Sequence, residues 1–232
     1  MVIGFCGKKG TGKTTAADYI YDKADHSAHF VPLRVPLAGV LKEMASYVFG
    51  CSVPHLHTES VKQKGLDFGD GEVSVRTFLQ KLGTDFGRNS IGKNIWIAAH
   101  ANRLLKLTTQ FGRATSTRGG IRPLFIVEDV RFPNEMSYLK HLGGVSVALF
   151  RRREGVEDAH ESESALDAVP RTMFTAAIEN NTNELSDLHE QLDYTYKYLD
   201  SKRYMVSFEC FRDALKQIAD FYTIAPEPCD GV

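Results

Sequence analysis

Short apolar runs alternate with longer stretches of helical periodicity along the chain. The runs are VIGFC (2–6), HFVPLR (29–34), LFIVEDV (124–130), GGVSVALFRR (143–152) and FTAAIENN (174–181). Each is the length of a buried strand, and LFIVEDV turns acidic at its end as a central parallel strand does. Between them, GKTTAADYIYDKA (12–24), a stretch from Leu37 to Phe49, and IWIAAHANRLLKL (95–107) behind Asn94 read as helices. Ser74 is placed to cap VRTFLQKL (75–82), which the glycine at 83 is expected to stop. Pro133 suits the first turn of a further helix, and ELSDLHEQL (184–192) follows the last strand. Residues 51–72 and the loop ATSTRGGIRP (114–123) carry no period and are read as irregular. Strands alternating with helices predict a three-layer α/β fold with a parallel central sheet.

The first run is followed by a sequence with its own chemistry. GFCGKKGTGKTT (4–15) contains Gly7, Gly10, Gly12, Lys13, Thr14 and Thr15, and matches the spacing G-x-x-x-x-G-K-[ST]. Glycines let backbone N–H groups wrap a β-phosphate, the lysine reaches the β and γ oxygens, and the threonine hydroxyl ligates Mg²⁺. The motif stands between a strand and a helix, whose positive end points at the anion. Gly7, Gly10, Gly12, Lys13, Thr14 and Thr15 are therefore the candidate ATP site, with Lys13 catalytic.

Composition narrows the remaining classes. The 232 residues carry a net charge of −1, which gives no global basic surface for nucleic acid. No apolar run reaches the ~18 residues of a membrane span. Four cysteines without CxxC spacing argue against a zinc site or disulfide framework and for a reducing, cytoplasmic setting.

Asp129 and Arg131 leave the end of LFIVEDV two residues apart, at the sheet edge where open parallel sheets bind ligands. Arg131 offers a planar fork for a phosphate. Asp129 can hold a Mg²⁺-bound water or accept from a sugar hydroxyl; a strand-end salt bridge is the plain alternative. Gln80 and Thr84, four apart, can share a helix face, and a glutamine amide suits the edge of a nucleobase. Trp96, the single tryptophan, can stack on a base, but core packing is the favoured reading.

Taken in order, the phosphate loop, PLAGVLKEMA, FLQKLGTDFGR with its downstream tryptophan, VEDVRFPNEM, GGVSVALFRR, DAHESE and AIENNTNELSDL resemble bacteriophage deoxynucleoside monophosphate kinases, within the P-loop nucleoside monophosphate kinases. The likeness spans about residues 1–192. It implies that Gln80, Gly83, Thr84, Trp96, Asp129, Arg131 and Glu135 line the acceptor site, with Arg34 and Lys42 near its phosphate. Thr14 and Asp129 are the candidate metal residues, and at Thr14 the chain departs from several relatives, which carry an aspartate there.

Kinases of this class bring arginines in on a lid. LFRRREGVEDAHESES (149–164) fits, with Arg151 and Arg152 at the transferred group, Arg153 in solvent, and His160 and Glu163 pinning the far end. Asn180, in ENNT (179–182), is expected either to pack against adenine or to form an ordinary turn.

The sequence thus predicts a P-loop kinase domain over 1–192, with an acceptor region at about 35–100 and a lid at about 151–164, and a helical C-terminal extension over 193–232. Its expected reaction is Mg²⁺-dependent transfer from ATP to a deoxynucleoside monophosphate. A small-molecule kinase for another phosphorylated acceptor, such as phosphomevalonate, and a non-catalytic nucleotide-binding module remain the alternatives. The expected partners are small molecules, with neither nucleic acid nor membrane, and a homodimer is left open.

Overall fold

The computed structural model describes residues 1–115, 121–151, 165–182, 184–202 and 208–222. Its centre is a parallel five-stranded sheet of β1 (Val2–Cys6), β2 (Phe30–Arg34), β5 (Arg122–Val130), β6 (Val145–Phe150) and β7 (Ala176–Glu179), in the order β2-β5-β1-β6-β7. Ile3 is the register mark at the centre, opposite Ile126 on one side and Val145 on the other. β1 is therefore flanked by strands from later in the chain, the topology that opens a crevice at its carboxyl end.

Alternation along the strands sorts the two faces. Ile3, Phe5, Leu124, Ile126, Val147 and Leu149 form one core with Ala16, Ala17 and Ile20 of α1 (Lys13–Asp25). Leu188, Leu192 and Leu199 of a C-terminal helix, Leu185–Lys202, join the same core. On the opposite face, Gly4 lies against Leu139 of the helix Pro133–His141; a side chain on Gly4 would overlap that leucine. Phe125 stacks there on Phe211, with ring centroids 5.7 Å apart. Each fully buried leucine, isoleucine or phenylalanine of this kind contributes about 1.5–3 kcal/mol. The three-layer α/β fold is the one expected.

The extension is not separate. Helix Leu185–Lys202 runs straight through residue 193, and the helix Phe208–Tyr222 buries Phe211, Leu215 and Ala219. Residues 193–222, so far as they are described, pack on both faces of the sheet instead of being appended to it, Leu199 in the core with α1 and Phe211 on Phe125. The apolar positions of ELSDLHEQL continue past 192 at Tyr196 and Leu199, which is why no boundary forms there.

The chain divides into two compact units, Met1–Val35 with Ala101–Val232, and Pro36–His100. In the second unit, α2 (Gly39–Phe49) and α4 (Val75–Gln80) close on a small core of Ala45, Leu56 and Val75. The segment 51–72, read as irregular, contains a 3-10 turn at His55–His57, a short helix α3 (Glu59–Gln63) and a hairpin of β3 (Gly65–Asp67) with β4 (Glu72–Ser74). These pieces are too short for periodicity to reveal.

Ser74 caps α4 as expected, its hydroxyl accepting from Thr77 N at 3.1 Å. The helix does not stop at Gly83. It widens into a π-helix over Lys81–Ile91, and α5 (Ile95–Thr115) follows. Glycine at 83 and 87 explains the widening. Gly83 lets Leu41 approach to 3.2 Å of a would-be Cβ, and Gly87 lies flat against the indole of Trp96. Long π-segments are rare and concentrate at functional sites. α6 (Pro133–His141), α7 (Leu185–Lys202) and α8 (Phe208–Tyr222) complete the described helices.

Candidate active site

The loop between β1 and α1 is built on backbone conformations that only glycine takes readily. Gly7, Gly10 and Gly12 have φ of 141°, 74° and 100°. Two of them also lack room for a side chain. A Cβ on Gly7 would lie 2.5 Å from the Leu149 carbonyl, and one on Gly12 2.6 Å from Asn180 Nδ2. Lys13 begins α1 and folds back over the loop, its Nζ donating to the carbonyls of Gly7 and Lys8 at 2.6 Å each. The Thr11 hydroxyl donates to the same Lys8 carbonyl at 3.0 Å. Thr14 is exposed at the loop's exit and Thr15 half-buried.

Lys13 is only 9 % exposed, and burial lowers its pKa from 10.5 to about 8. The Arg131 charge is the second cause of that lowering, while Asp129, Cys6 and Glu128 act the other way. Asp129 and Arg131 thus lie within electrostatic reach of the loop lysine. The desolvated ammonium is a strong acceptor site for phosphate charge. Its titration has two consequences of known sign. The unfolded chain holds this proton up to about 10.5, so stability should rise with pH between about 8 and 10.5. Polyphosphate favours the charged form, so its affinity should fall as pH rises through 8, and binding at pH 8.5 should take up a proton. Calorimetry of ATP binding in two buffers of different ionisation heat measures that uptake, and its absence would mean that Lys13 does not meet the phosphates.

Asn180, expected at adenine or in a turn, braces the phosphate loop. It is buried, donates through Nδ2 to the Thr11 carbonyl at 2.9 Å, and its backbone N–H bonds Phe150 O at 2.7 Å. It ties the ends of β6 and β7 to the phosphate loop.

At the end of β5, Arg131 lies just past the strand, whose pairing with β1 slips between Gly4 and Cys6. Simple alternation therefore does not aim its side chain. Glu135 does the fixing: its carboxylate accepts from Arg131 N at 2.8 Å and Phe132 N at 3.0 Å. It is 5 % exposed. This is the returning half of a capping box, since Phe132 has no acceptor for the other half. Glu135, assigned by resemblance to the acceptor's lining, is a buried cap in this structure.

Arg34 is likewise engaged, paired with Asp18 and, at 3.2 Å, with Glu128. It forms part of an ion-pair cluster at the β2 edge. Lys42 is half-buried on α2, and Gln80 is half-buried at the end of α4. Gly83 and Thr84 are buried in the π-helix. Trp96 is 7 % exposed and its indole N–H donates to Gly83 O at 2.7 Å, so it packs and pins the π-helix as the core reading expects. Gln80, Gly83, Thr84 and Trp96 belong to the Pro36–His100 unit, and Lys13, Asp129 and Arg131 to the sheet unit. Arg152, Arg153, His160 and Glu163 lie outside the described residues.

A cavity of about 340 Å³ adjoins the phosphate loop within the sheet unit. Lys8, Arg131, Arg151 and Arg171 all line it. Lys8 pairs with Asp167 at 2.8 Å, and Arg171 pairs with Glu179. Arg171 escaped sequence reasoning because it follows Pro170 in a short turn with no motif around it.

The sequence matches the model of the family described as deoxynucleotide monophosphate kinase over residues 50–192. This chain belongs to that family. A protein of Acanthamoeba polyphaga mimivirus, provisionally named a deoxynucleotide monophosphate kinase, is 29% identical over 185 residues, covering 79% of this chain and 91% of its own. That relative is viral, and nothing ties the chain specifically to bacteriophage. Among solved structures, a shikimate kinase from Acinetobacter baumannii in complex with shikimate covers 87% of this chain and 94% of its own, at 13% identity and a TM-score of 0.37. One from Bacteroides thetaiotaomicron covers 86% and 98%, at 15% and 0.39. The deoxynucleotide monophosphate kinase match begins after the phosphate loop. The loop is therefore a separate line of support, read from its own residues.

Proposed function

We propose that this kinase transfers the γ-phosphoryl group of ATP to a deoxynucleoside monophosphate, giving ADP and the diphosphate. The observation that carries the reading is Lys13, buried and folded over the glycine loop onto the carbonyls of Gly7 and Lys8, with Asp129 and Arg131 acting on its charge. The acceptor oxygen is a phosphate oxygen and already anionic, so no general base is required. The chain's task is positioning and charge neutralisation.

Lys13 exchanges its two carbonyl partners for phosphate oxygens of the donor. Arg131, on a turn held by Glu135, grips the acceptor phosphate with its fork. Arg151 and Arg152 bring further positive charge to the group in flight. Gln80 and Thr84 read the base.

A magnesium ion fits the residues present. Thr14 is exposed at the loop exit, and the Asp129 carboxylate acts on the Lys13 charge. These two residues would hold the ion together with phosphate oxygens. Bound there, the ion would neutralise charge on the transferred group.

The test is a coupled assay with ATP and Mg²⁺ over the common ribo- and deoxyribonucleoside monophosphates. Turnover should depend on the added monophosphate and favour deoxy forms. ATP hydrolysis independent of any monophosphate would leave the non-catalytic or hydrolytic module. Gln80→Ala should reorder the acceptors while leaving ATP binding in place, because unpaired polar groups discriminate strongly. An unchanged ranking would make Gln80 a packing residue.

A further inference from the structure

We infer that Asp167 is a built-in competing anion: in the free protein its carboxylate holds Lys8 of the phosphate loop, and a bound polyphosphate must displace it. The inference rests on the reading that the glycine loop takes the donor's phosphates. Lys8 Nζ and the Asp167 carboxylate are 2.8 Å apart. Both residues line the cavity beside the loop, together with Gly7 and Thr11. A carboxylate oxygen at that distance offers Lys8 the same charge-assisted contact that a phosphate oxygen would.

The loop does not need this pair for its shape. The Lys8 carbonyl already accepts from Lys13 Nζ at 2.6 Å and from the Thr11 hydroxyl at 3.0 Å. The backbone of residue 8 is therefore fixed from within the loop, and only its side chain reaches outward. Asp167 comes from a turn at 165–168, followed by Val169 N donating to Leu166 O at 3.0 Å. Farther along, Arg171 anchors the same stretch. Its guanidinium lies over the Phe150 ring, 4.2 Å from the centroid, and pairs with Glu179. The turn is thus held at the cavity whether or not Lys8 is engaged.

Exposure makes the pair exchangeable. The two side chains are 49% and 54% exposed. An ion pair so open to water contributes little to stability, so the protein loses little when phosphate takes its place. Glu179 also lines the cavity, but it is the last residue of β7 and is held in the sheet. Asp167 needs only a side-chain rotation to release Lys8.

Calorimetric titration of inorganic tripolyphosphate and of ATP, without monophosphate, tests this. Asp167→Asn should tighten both ligands about two- to fivefold at low salt, the range that one exposed ion pair covers. The gain should shrink in about 0.5 M salt, where exposed charges are screened. Its melting temperature should stay close to wild type. Asp167→Glu keeps the charge and should bind as wild type does. Lys8→Ala should weaken both ligands, and in that background Asp167→Asn should change affinity little. Unchanged or weaker binding in Asp167→Asn would overturn the inference, because the carboxylate would then be idle or would support the loop. An equal gain in the Lys8→Ala background would overturn it as well. A wild-type protein that binds neither ligand would instead refute the loop's donor role, and the competing anion with it.

Discussion

Lys13→Ala should lower the transfer rate by roughly 10²–10³ and leave the fold intact. A preorganised charge aimed at developing negative charge contributes about 2.7–4 kcal/mol to the transition state. Lys13 meets that description because its ammonium is already stripped of most of its water and held by two loop carbonyls. Stability should not suffer. Burial disfavours the charged form, as its pKa of about 8 shows, so the fold carries Lys13 at a cost that alanine removes. The carbonyls of Gly7 and Lys8 lose a donor but sit on an exposed loop where water can replace it. Single-turnover kinetics and a thermal melt measure the two halves. A rate within a few-fold of wild type would remove the loop lysine from the mechanism. A melting temperature well below wild type would show that Lys13 mainly holds the loop together.

Much of this fold could be read in advance because its central strands are buried on both faces. VIGFC and LFIVEDV are near-continuous apolar runs, and the structure places both at the sheet's centre. What escaped was set by local packing that no period reports. Gly83 looks like a helix stop, yet Leu41 and the Trp96 indole hold the chain in a widened helix through it. The hairpin at 65–74 is built from strands of three residues each. The tail's role was hidden for another reason: Phe211 meets its partner Phe125 across a separation that sequence pattern cannot bridge.

The candidate site divides in the same way. Lys13 and its glycines announce themselves, because phosphate wrapping demands those residues at that spacing. Asn180 and Glu135 were noticed, but not the backbone groups they hold: Asn180 Nδ2 donates to Thr11 O, and Glu135 accepts from Arg131 N and Phe132 N. A side chain that braces a loop uses the same amide or carboxylate as one that grips a ligand. Only the partner distinguishes them, and the partner is a tertiary fact. Arg171 had no signal, since its partners Phe150 and Glu179 are brought to it only by the fold.

Arg131→Leu should reduce kcat/KM for the monophosphate by about ten- to a hundredfold and leave ATP affinity nearly unchanged. A bidentate charge-assisted contact contributes roughly 1.5–3 kcal/mol, which sets that range. Lysine should rescue it poorly, because a point charge cannot reproduce the fork. The structure adds a second readout. Arg131 is one of the two causes that lower the Lys13 pKa, so its removal should move the pH at which ATP affinity falls upward from about 8. Glu135→Gln supplies the control for geometry. Its amide oxygen can still accept from the Arg131 and Phe132 N–H groups, so acceptor kinetics should fall less than in Arg131→Leu. Glu135→Ala, which leaves both donors without that partner, should fall further and lower the melting temperature. Loss of ATP binding in Arg131→Leu would place this arginine on the donor's phosphates. Unchanged monophosphate kinetics together with a shifted Lys13 titration would give it an electrostatic part at the loop, and the acceptor phosphate would then have to be held by other cations.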